Sequence, residues 1–290
     1  MKKILVTGSN GQLGKALTIL AKKYPQFQIM AVDKAELDIT QQFRINGLFR
    51  RESFDYCINA AAYTAVDKAE TEEELAHQVN VNGAKNLAEA CHLLQIPLIH
   101  ISTDYVYNGN QGIPITENQE VQPMGVYATS KLLGELAAKS ANQQTMVIRT
   151  SWVYAPFGHN FLKTMLKYGA ERETMNVVYD QIGTPTYVFD LANALLSIID
   201  KVEKKLVAKE LLFDTYHYSN EGVASWYDFA KIIFDTQKMH CKLNPILSEA
   251  YPTPAKRPAF SLLDKTKIKT TFGIEIPNWM DSVRKCLKEI

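Results

Sequence analysis

The residues best suited to chemistry are a tyrosine and a lysine, Tyr127 and Lys131, which lie four positions apart. Residues 127–140 have the pattern of a helix, and side chains four apart on a helix lie on one face, one turn from each other. The ammonium group would favour the phenolate and lower a tyrosine pKa that is about 10 in water. A phenol tuned in this way can exchange a proton with a sugar or alcohol oxygen. Because such a pair also occurs by chance, the alternative is an exposed helix pair without a catalytic role.

A glycine-rich turn at the start of the chain predicts a site for a dinucleotide. Residues 3–7 form an aliphatic run that predicts a strand, and Gly8, Gly11 and Gly14 follow before leucines at helical spacing. The first glycine would allow a tight turn, the second a close approach of a pyrophosphate, and the third close packing of helix on strand. The pyrophosphate would lie at the helix N-terminus, where free N–H groups and the helix dipole favour an anion. The alternative is a turn without a ligand.

An acidic residue, Asp33, follows the second predicted strand, residues 27–32. A carboxylate at this place can bind the ribose hydroxyls of NAD(H) and would repel the 2′-phosphate of NADP(H). The adjacent Lys34 could instead receive that phosphate, so the sequence leaves both NADH and NADPH open. Asp38, in the same loop, is predicted to meet the adenine. The alternative for Asp33 is a strand-end carboxylate in solvent.

Two further predicted strands, residues 56–59 and 97–101, end in groups suited to a ligand. Small residues, 60–64, follow the first strand and leave room for a flat ligand to pass. Thr103 and Asp104 follow the second strand, where their side chains could hydrogen-bond a substrate oxygen beside the tyrosine. Ligands of parallel sheets bind at the carboxyl ends of the strands, which supports this placement. The alternatives are a threonine that satisfies its own loop and a surface carboxylate.

Composition narrows the class of protein. The 290 residues are 46% hydrophobic and 22% charged with a net charge of +1, so no basic surface predicts binding to nucleic acid. No apolar run is long enough for a signal peptide or a membrane span, which predicts a cytoplasmic protein without membrane contact. The four cysteines and six histidines are scattered without the spacing of metal ligands, and no metal site is predicted. Patterns typical of serine hydrolases and P-loop kinases do not occur.

The glycine turn, Ser102-Thr103-Asp104 and Tyr127-x-x-x-Lys131, in this order, resemble the extended short-chain dehydrogenase/reductase superfamily. Three longer runs narrow the resemblance to the dTDP-4-dehydrorhamnose reductase family, and together the matches span nearly the whole chain. These runs are residues 59–70, 149–154 and 251–258. The resemblance implies reduction of the C4 ketone of dTDP-4-dehydro-β-L-rhamnose to dTDP-β-L-rhamnose by a hydride from NADPH or NADH.

The resemblance also implies roles for individual residues. Thr103, Tyr127 and Lys131 would form the catalytic set, and Tyr127 would donate the proton. Trp152 would lie beside the sugar, and Arg257, in a proline-rich loop, would clamp a diphosphate. A core tryptophan and a surface arginine are the alternatives. The predicted substrate-binding residues are Thr103, Asp104, Tyr127, Trp152 and Arg257. The predicted cofactor-binding residues are Gly8, Gly11, Gln12, Leu13, Gly14, Asp33, Asp38, Ile39, Ala60, Ala61, Ala62, Tyr63, Thr64, Tyr127 and Lys131. Tyr63 departs from the family, where histidine is common, so only its backbone is a firm expectation.

The order of strands and helices predicts an α/β fold, a Rossmann-type doubly wound parallel sheet with a smaller C-terminal substrate-binding lobe. We expect residues 1–150 to form the dinucleotide-binding domain, with 187–217 returning to it. Residues 151–186 and 218–290 would form the lobe that binds the nucleotide-sugar. A homodimer is the expected assembly.

Two other functions compete with the reductase. One is another nucleotide-sugar enzyme, an epimerase or a dehydratase, but a dehydratase typically has glutamate after the aspartate, where this chain has Tyr105. The other is a non-catalytic, cofactor-binding regulatory subunit of the methionine adenosyltransferase type. Relatives of that kind alter the catalytic threonine or the tryptophan, and here both Thr103 and Trp152 are present.

Overall fold

A computed structural model of the protein describes residues 1–109 and 112–290. Within these residues the strands are β1 (Lys2–Thr7), β2 (Phe27–Val32), β3 (Tyr56–Asn59), β4 (Leu98–Thr103), β5 (Thr145–Thr150), β6 (Val153–Tyr154), β7 (Thr174–Val178), β8 (Ile182–Gly183), β9 (Thr186–Tyr187), β10 (Thr215–Tyr218), β11 (Ala224–Ser225) and β12 (Lys242–Ile246). The α-helices are α1 (Gln12–Leu20), α2 (Gln42–Arg51), α3 (Val66–Ala69), α4 (Glu73–His77), α5 (Ala84–Leu93), α6 (Val126–Ala141), α7 (Phe161–Glu171), α8 (Val188–Glu203), α9 (Trp226–Gln237), α10 (Thr266–Phe272) and α11 (Trp279–Leu287). None of the helices in the described ranges has the length and apolar character that crossing a membrane requires.

Six strands form one parallel sheet in the order β10-β5-β4-β3-β1-β2. The chain leaves β1 in one direction to reach β2 and then crosses to β3 on the other side of β1, so the strand order reverses there. In open parallel sheets this reversal point, at the carboxyl ends of the strands, is where ligands bind. The predicted Rossmann-type doubly wound sheet is confirmed.

The sheet is covered on both faces, which explains its continuous apolar strands. On one face Ile4 and Val6 of β1 pack against helices α1 and α8. On the other face Leu5 packs against helices α2 and α5. Burial on both faces fixes the register of each strand, so the polar residues that follow the strands emerge together at one edge of the sheet.

A third core holds the smaller lobe together. Helices α7, α9 and α11 pack around Phe229 and Trp279, with strands β7 and β12 paired beside them. Helix α10, close to the C-terminus, instead packs on the sheet through Ile268 and Phe272. The bounds of the two domains remain a prediction.

Two local predictions differ from the structure. The strand predicted over residues 211–218 begins only at Thr215, because Lys209–Leu212 form a 3-10 turn. Asn82, which the sequence singles out as a polar residue among apolar helix positions, is exposed, and Asn80 is buried instead. The reason is a π-helical turn over Gln78–Gly83, which rotates the chain and changes the residue that faces inward.

Candidate active site

The turn after β1 depends on glycines that have no room for a side chain. Gly8 has a φ of +72°, and a Cβ there would lie 2.8 Å from the backbone of Ala60. A Cβ on Gly14 would lie 2.4 Å from the carbonyl oxygen of Gly8. For Gly11 the nearest atom would be 3.2 Å away. Packing within the protein therefore requires Gly8 and Gly14, whereas Gly11 borders an open cleft.

The cleft beside this turn has the features of a dinucleotide site. Helix α1 begins directly after the turn with neither a side-chain cap nor an acidic residue in its first turn, so its free N–H groups and dipole favour an anion. The cleft measures about 660 Å³. Its lining includes Gly8, Gly11, Gln12, Leu13, Asp33, Asp38, Ile39, Ala60, Ala61, Ala62, Tyr63 and Thr64. The anion site, the bare backbone of the turn and the small alanines fit an extended cofactor with a central diphosphate.

Asp33 uses its carboxylate to close the loop at the rim of the cleft. Its Oδ1 accepts hydrogen bonds from the N–H groups two and three residues further on, at 2.9 and 3.0 Å. Its Oδ2 accepts a hydrogen bond from the Asn10 amide at 2.7 Å. Asp33 therefore ties the glycine turn to the loop after β2. Asp38, in the same loop, accepts hydrogen bonds from the N–H and hydroxyl of Thr40 at 3.0 and 2.8 Å.

The loop after β3 is held by Asn80, which the sequence did not predict. Its Oδ1 accepts the N–H of Tyr63 at 2.8 Å, and its Nδ2 donates to the carbonyl oxygen of Tyr63 at 3.1 Å. The same Nδ2 donates to the Ser130 hydroxyl on α6 at 3.0 Å. Asn80 thus joins the wall of the cleft to the helix that carries Tyr127. The Tyr63 phenol donates to Glu72 at 2.8 Å, away from this contact.

Helix α6 places Tyr127 beside the end of β4. Burial raises the pKa of Tyr127 to about 12, while a hydrogen bond with Thr103 lowers it and the Asp104 carboxylate raises it further. The ring packs edge-on against Tyr105, with centroids 5.6 Å apart. The expectation that the pKa of Tyr127 lies below its usual value is wrong, because burial raises it overall.

Lys131 is bound to the sheet rather than to the phenol. Its ammonium donates to the carbonyl oxygen of Ile101 at 2.6 Å. Burial lowers the pKa of Lys131 to about 8, and Glu135, one helical turn further on, raises it. Glu135 is itself paired with Arg149 of β5, Nη2 to Oε2 2.7 Å, and accepts a hydrogen bond from Ser102. The lysine therefore lies within a buried, fixed framework.

Asp104 lies between the threonine and the smaller lobe and is 2% exposed. The Thr103 hydroxyl donates to its Oδ1 at 3.1 Å. Burial raises the pKa of Asp104 to about 6, whereas the nearby hydroxyl groups of Ser261 and Thr103 lower it. Its Oδ2 is buried without a partner among residues 1–109 and 112–290. A buried acceptor of this kind is costly unless a ligand group satisfies it.

Trp152 emerges after β5 at the same end of the sheet. Its ring is half-buried and stacks on Trp226, with centroids 3.7 Å apart. Trp226 could not be predicted as a site residue, because a tryptophan at the start of an amphipathic helix has the pattern of an ordinary core residue. Gln12, in the glycine turn, connects this region to the cleft: its amide donates to the carbonyl oxygen of Val153 at 3.3 Å.

Arg257 has an internal partner that the sequence did not predict. Its guanidinium forms two hydrogen bonds to the Asp67 carboxylate, at 3.1 and 2.8 Å. These hydrogen bonds lower the pKa of Asp67. The pair joins the proline-rich segment that contains Arg257 to helix α3, which follows the alanine-rich loop. A contact between Arg257 and a diphosphate stays a prediction.

The chain matches the family model described as the RmlD substrate binding domain over residues 1–290. It belongs to this family. A dTDP-4-dehydrorhamnose reductase of Aggregatibacter actinomycetemcomitans is 39% identical over 290 residues, which cover 98% of each chain. A second one, of Sinorhizobium fredii, is 40% identical over 287 residues, which cover 98% of this chain and 96% of the relative. The family resemblance inferred from the sequence is confirmed.

Solved structures agree with this family. A dTDP-4-dehydrorhamnose reductase from Clostridium acetobutylicum superposes with a TM-score of 0.92 at 39% identity over 99% of each chain. The reductase from Bacillus anthracis, in complex with NADP, has a TM-score of 0.92 at 36% identity over 100% of each chain. A dTDP-glucose 4,6-dehydratase from Streptomyces venezuelae, at 18% identity and a TM-score of 0.78, shares the fold alone.

Proposed function

We propose that this protein reduces the C4 ketone of dTDP-4-dehydro-β-L-rhamnose to dTDP-β-L-rhamnose, in dTDP-rhamnose biosynthesis, with NADPH or NADH as hydride donor. One observation carries the proposal. Thr103, Tyr127 and Lys131 lie together at the carboxyl end of the sheet, in a chain that matches the reductase family throughout its length. The lining of the cleft at the glycine turn does not include these three residues, but Asn80 joins the wall of the cleft to the helix that carries Tyr127.

The chain's own residues bind, orient and handle the proton, and the nicotinamide cofactor supplies the hydride when it is bound. Tyr127, with a pKa of about 12, keeps its proton at neutral pH and donates it to the C4 oxygen as negative charge develops there. Thr103 hydrogen-bonds the same oxygen. Lys131 holds the nicotinamide ribose, and its charge stabilises the phenolate that remains after the transfer.

The substrate contacts come from both parts of the molecule. Trp152 offers a flat apolar face to the C–H side of the deoxysugar and an N–H donor to a hydroxyl at its rim. The free Oδ2 of Asp104 accepts a sugar hydroxyl, which satisfies the buried oxygen. Arg257 contributes N–H groups to the diphosphate, sharing its guanidinium with Asp67.

The competing functions fit the site less well. A dehydratase needs an acid–base pair next to the threonine, and Asp104 is followed by the phenol of Tyr105, whose pKa burial raises beyond the range of a general base. Relatives that act as non-catalytic regulatory subunits alter the catalytic threonine or the tryptophan. This chain retains Thr103, Tyr127, Lys131 and Trp152 together.

The test is the oxidation of reduced cofactor. Purified protein is given dTDP-4-dehydrorhamnose with NADPH and with NADH in separate reactions, the loss of nicotinamide absorbance is followed, and the product sugar is identified by NMR. We expect stoichiometric oxidation with formation of dTDP-rhamnose. Cofactor binding without oxidation would point to the regulatory subunit, and conversion of the sugar without net oxidation would point to an epimerase.

The assembly and the compartment are also inferences. The nucleotide-sugar is a small-molecule partner, and we expect the protein to act as a homodimer in the cytoplasm. The outer side of α6 exposes the apolar residues Leu133 and Leu136, 39% and 56% exposed, which are candidates for the contact. Sedimentation equilibrium of the wild type and of Leu136→Glu tests this dimer contact, since a dimer formed through α6 would dissociate in the variant.

A further inference from the structure

The smaller lobe contains an aromatic pair at the edge of the active site. The rings of Trp152 and Trp226 are 3.7 Å apart and inclined by only 13°, so one face of Trp152 is covered by the other indole. The edge of the Trp152 ring lies against the backbone of β8, where a Cβ on Gly183 would be 2.9 Å from it. The ring of Trp152 is therefore fixed in plane by one neighbour and at its edge by another.

The backbone of Trp152 needs such support. Its φ of +46° is in the left-handed region, which costs energy for a residue with a bulky side chain. Its carbonyl oxygen accepts the N–H of Thr186 at 3.1 Å, and the preceding Ser151 hydroxyl donates to the carbonyl oxygen of Thr184 at 2.9 Å. These bonds turn the chain after β5 so that the indole leaves the sheet toward the smaller lobe.

The two indoles differ in what their N–H groups do. Trp226 donates to the Oε1 of Gln181 at 3.1 Å. The indole N–H of Trp152 has no hydrogen-bond partner in the described part of the chain, and the residue is half-buried. An indole with a free donor can bind a ligand hydroxyl, whereas one whose donor is already used cannot. We therefore expect Trp152 to contact the ligand and Trp226 to support Trp152.

Trp226 is held more firmly than a surface ring. It is the first residue of α9, directly after a capping box in which the Ser225 hydroxyl and the Asp228 carboxylate bond each other's backbone N–H groups. Its partner Gln181 is fixed in turn, since Nε2 of Gln181 donates to the Ser248 hydroxyl at 2.9 Å. A ring on a capped helix end with a fixed hydrogen-bond partner provides a rigid support.

We propose that Trp226, with Gln181 behind it, is a positioning residue for the reaction, which holds the Trp152 indole at the angle at which it meets the sugar of the nucleotide-sugar substrate. This inference rests on the proposed function for the identity of the substrate. The inference goes beyond the proposed function because it gives a positioning role to Trp226 and Gln181, which do not touch the reacting atoms. Loss of Trp226 keeps the edge contact of Trp152 with β8 but removes the contact that fixes the plane of its ring, so binding of the sugar weakens while the cofactor site is unaffected.

The stack itself has a spectroscopic signature. Two stacked indoles couple their transitions, and when the transition dipoles of the two rings are rotated relative to each other they give a paired positive and negative band in far-ultraviolet circular dichroism. The chain has three tryptophans, and Trp279 lies in the same lobe outside the stack, edge-on to Phe229. We expect Trp152→Phe and Trp226→Phe each to abolish the band pair and Trp279→Phe to retain it. Retention of the band pair in Trp226→Phe would show that the two rings are not stacked in solution and would overturn the proposal.

Kinetics then separate positioning from general packing. In Trp226→Leu we expect kcat/KM for dTDP-4-dehydrorhamnose to fall about tenfold, with a change in the Kd of NADPH of less than about twofold. Trp226→Phe, which keeps a flat support, should recover part of the loss, and Gln181→Leu should lower kcat/KM in the same direction. Trp279→Phe, the control, should leave kcat/KM unchanged. An equal loss in Trp226→Leu and Trp279→Phe, or an equal loss of cofactor and sugar binding, would overturn positioning by Trp226.

The experiments distinguish failure of the positioning role of Trp226 from failure of the proposed reductase function. If the wild-type protein does not oxidise NADPH or NADH with this substrate, the proposed function fails before any variant is compared. If the wild type is active and Trp226→Leu is equally active with the band pair lost, the function stands and the positioning role is refuted. Melting temperatures of all variants identify any that has lost its fold, and Trp226→Phe then provides the comparison.

Discussion

The Asp104→Asn variant should become more stable relative to the wild type as the pH rises. Its activity should be lower than that of the wild type. The wild-type carboxyl group is buried, and its pKa is raised from 3.8 to about 6. A shift of about 2 units corresponds to about 3 kcal/mol between the two protonation states. Asparagine has nearly the same shape and cannot ionise, so the variant does not bear this pH-dependent cost.

The sign follows from the direction of the shift. The folded protein favours the neutral form of Asp104, so the stabilising contribution of this group is complete below about pH 4. It is lost as the pH rises to about 6, where the carboxyl group ionises in the folded state as well, and it is constant above that. The free energy of unfolding of Asp104→Asn minus that of the wild type should therefore increase over this window by about 3 kcal/mol.

The assay is urea denaturation of both proteins at intervals between about pH 4 and about pH 8. Other titrating groups, such as Glu117 and His217, are common to both proteins and cancel in the difference. Any cost of the unpartnered amide in the variant is independent of pH and shifts the whole curve without changing its slope. Asp38→Asn is the matched control, because hydrogen bonds from Thr40 outweigh its burial and lower the pKa of Asp38. That carboxyl group titrates below about pH 4 in both the folded and the unfolded state, so its difference curve should be nearly flat over this range.

A flat difference curve for Asp104→Asn between about pH 4 and about pH 8 would refute the reasoning, because it would mean that the carboxyl group titrates as if it were in water. Activity gives a second readout. The asparagine retains an acceptor for Thr103, but it offers the substrate a different group from the carboxylate. It also removes the negative charge that raises the pKa of Tyr127. We expect a lower kcat/KM despite the gain in stability.

Three other predictions address the catalytic acid, the glycine turn and the arginine. Tyr127→Phe should lower turnover by roughly 10² or more with little change in cofactor affinity, and near-normal turnover would remove Tyr127 from the acid role. Gly14→Ala should reduce the melting temperature strongly, because the added Cβ would lie 2.4 Å from the backbone of Gly8. Gly11→Ala should remain folded and should bind NADH and NADPH more weakly. Unchanged calorimetric affinities in Gly11→Ala would make the turn a structural feature only. Arg257→Gln should raise KM for the nucleotide-sugar about tenfold, whereas Asp67→Asn, which frees the guanidinium, should lower this KM. The free energy of unfolding should change by less than about 1 kcal/mol in each variant. If both substitutions raise KM, the pair is structural rather than a competitor of the diphosphate.

The elements of the sheet could be read from the sequence because each strand is a short apolar run with clear ends. The strands predicted over residues 27–32 and 56–59 have those bounds in the structure, and the glycine turn lies where expected between β1 and α1. The helix of Tyr127 and Lys131 could be predicted for the same reason, since local periodicity and capping depend on neighbours in the chain. These are the features that short-range physics determines.

The features that escaped prediction depend on contacts between distant segments. Trp226 and Trp152 are 74 positions apart in the numbering of the chain, and nothing in either neighbourhood signals that their rings stack. The pairing of Arg257 with Asp67 likewise joins two segments that have no local relation. A one-residue π-helical expansion was enough to put Asn80 rather than Asn82 inside. Spacing rules assume regular helices, so a local departure from regular helix geometry changes which of the following residues are predicted to face inward.

The pKa of the catalytic tyrosine illustrates the same limit in energetic terms. From the sequence, the lysine one turn away was the only visible influence, and it acts to lower the pKa. In the folded protein, burial acts on both groups and favours the neutral form of each: it raises the pKa of Tyr127 to about 12 and lowers that of Lys131 to about 8. At neutral pH the phenol therefore holds its proton while the lysine is still mainly charged. That combination suits a reduction, since the acid is protonated before hydride transfer begins and a cation is in place for the phenolate that the transfer leaves.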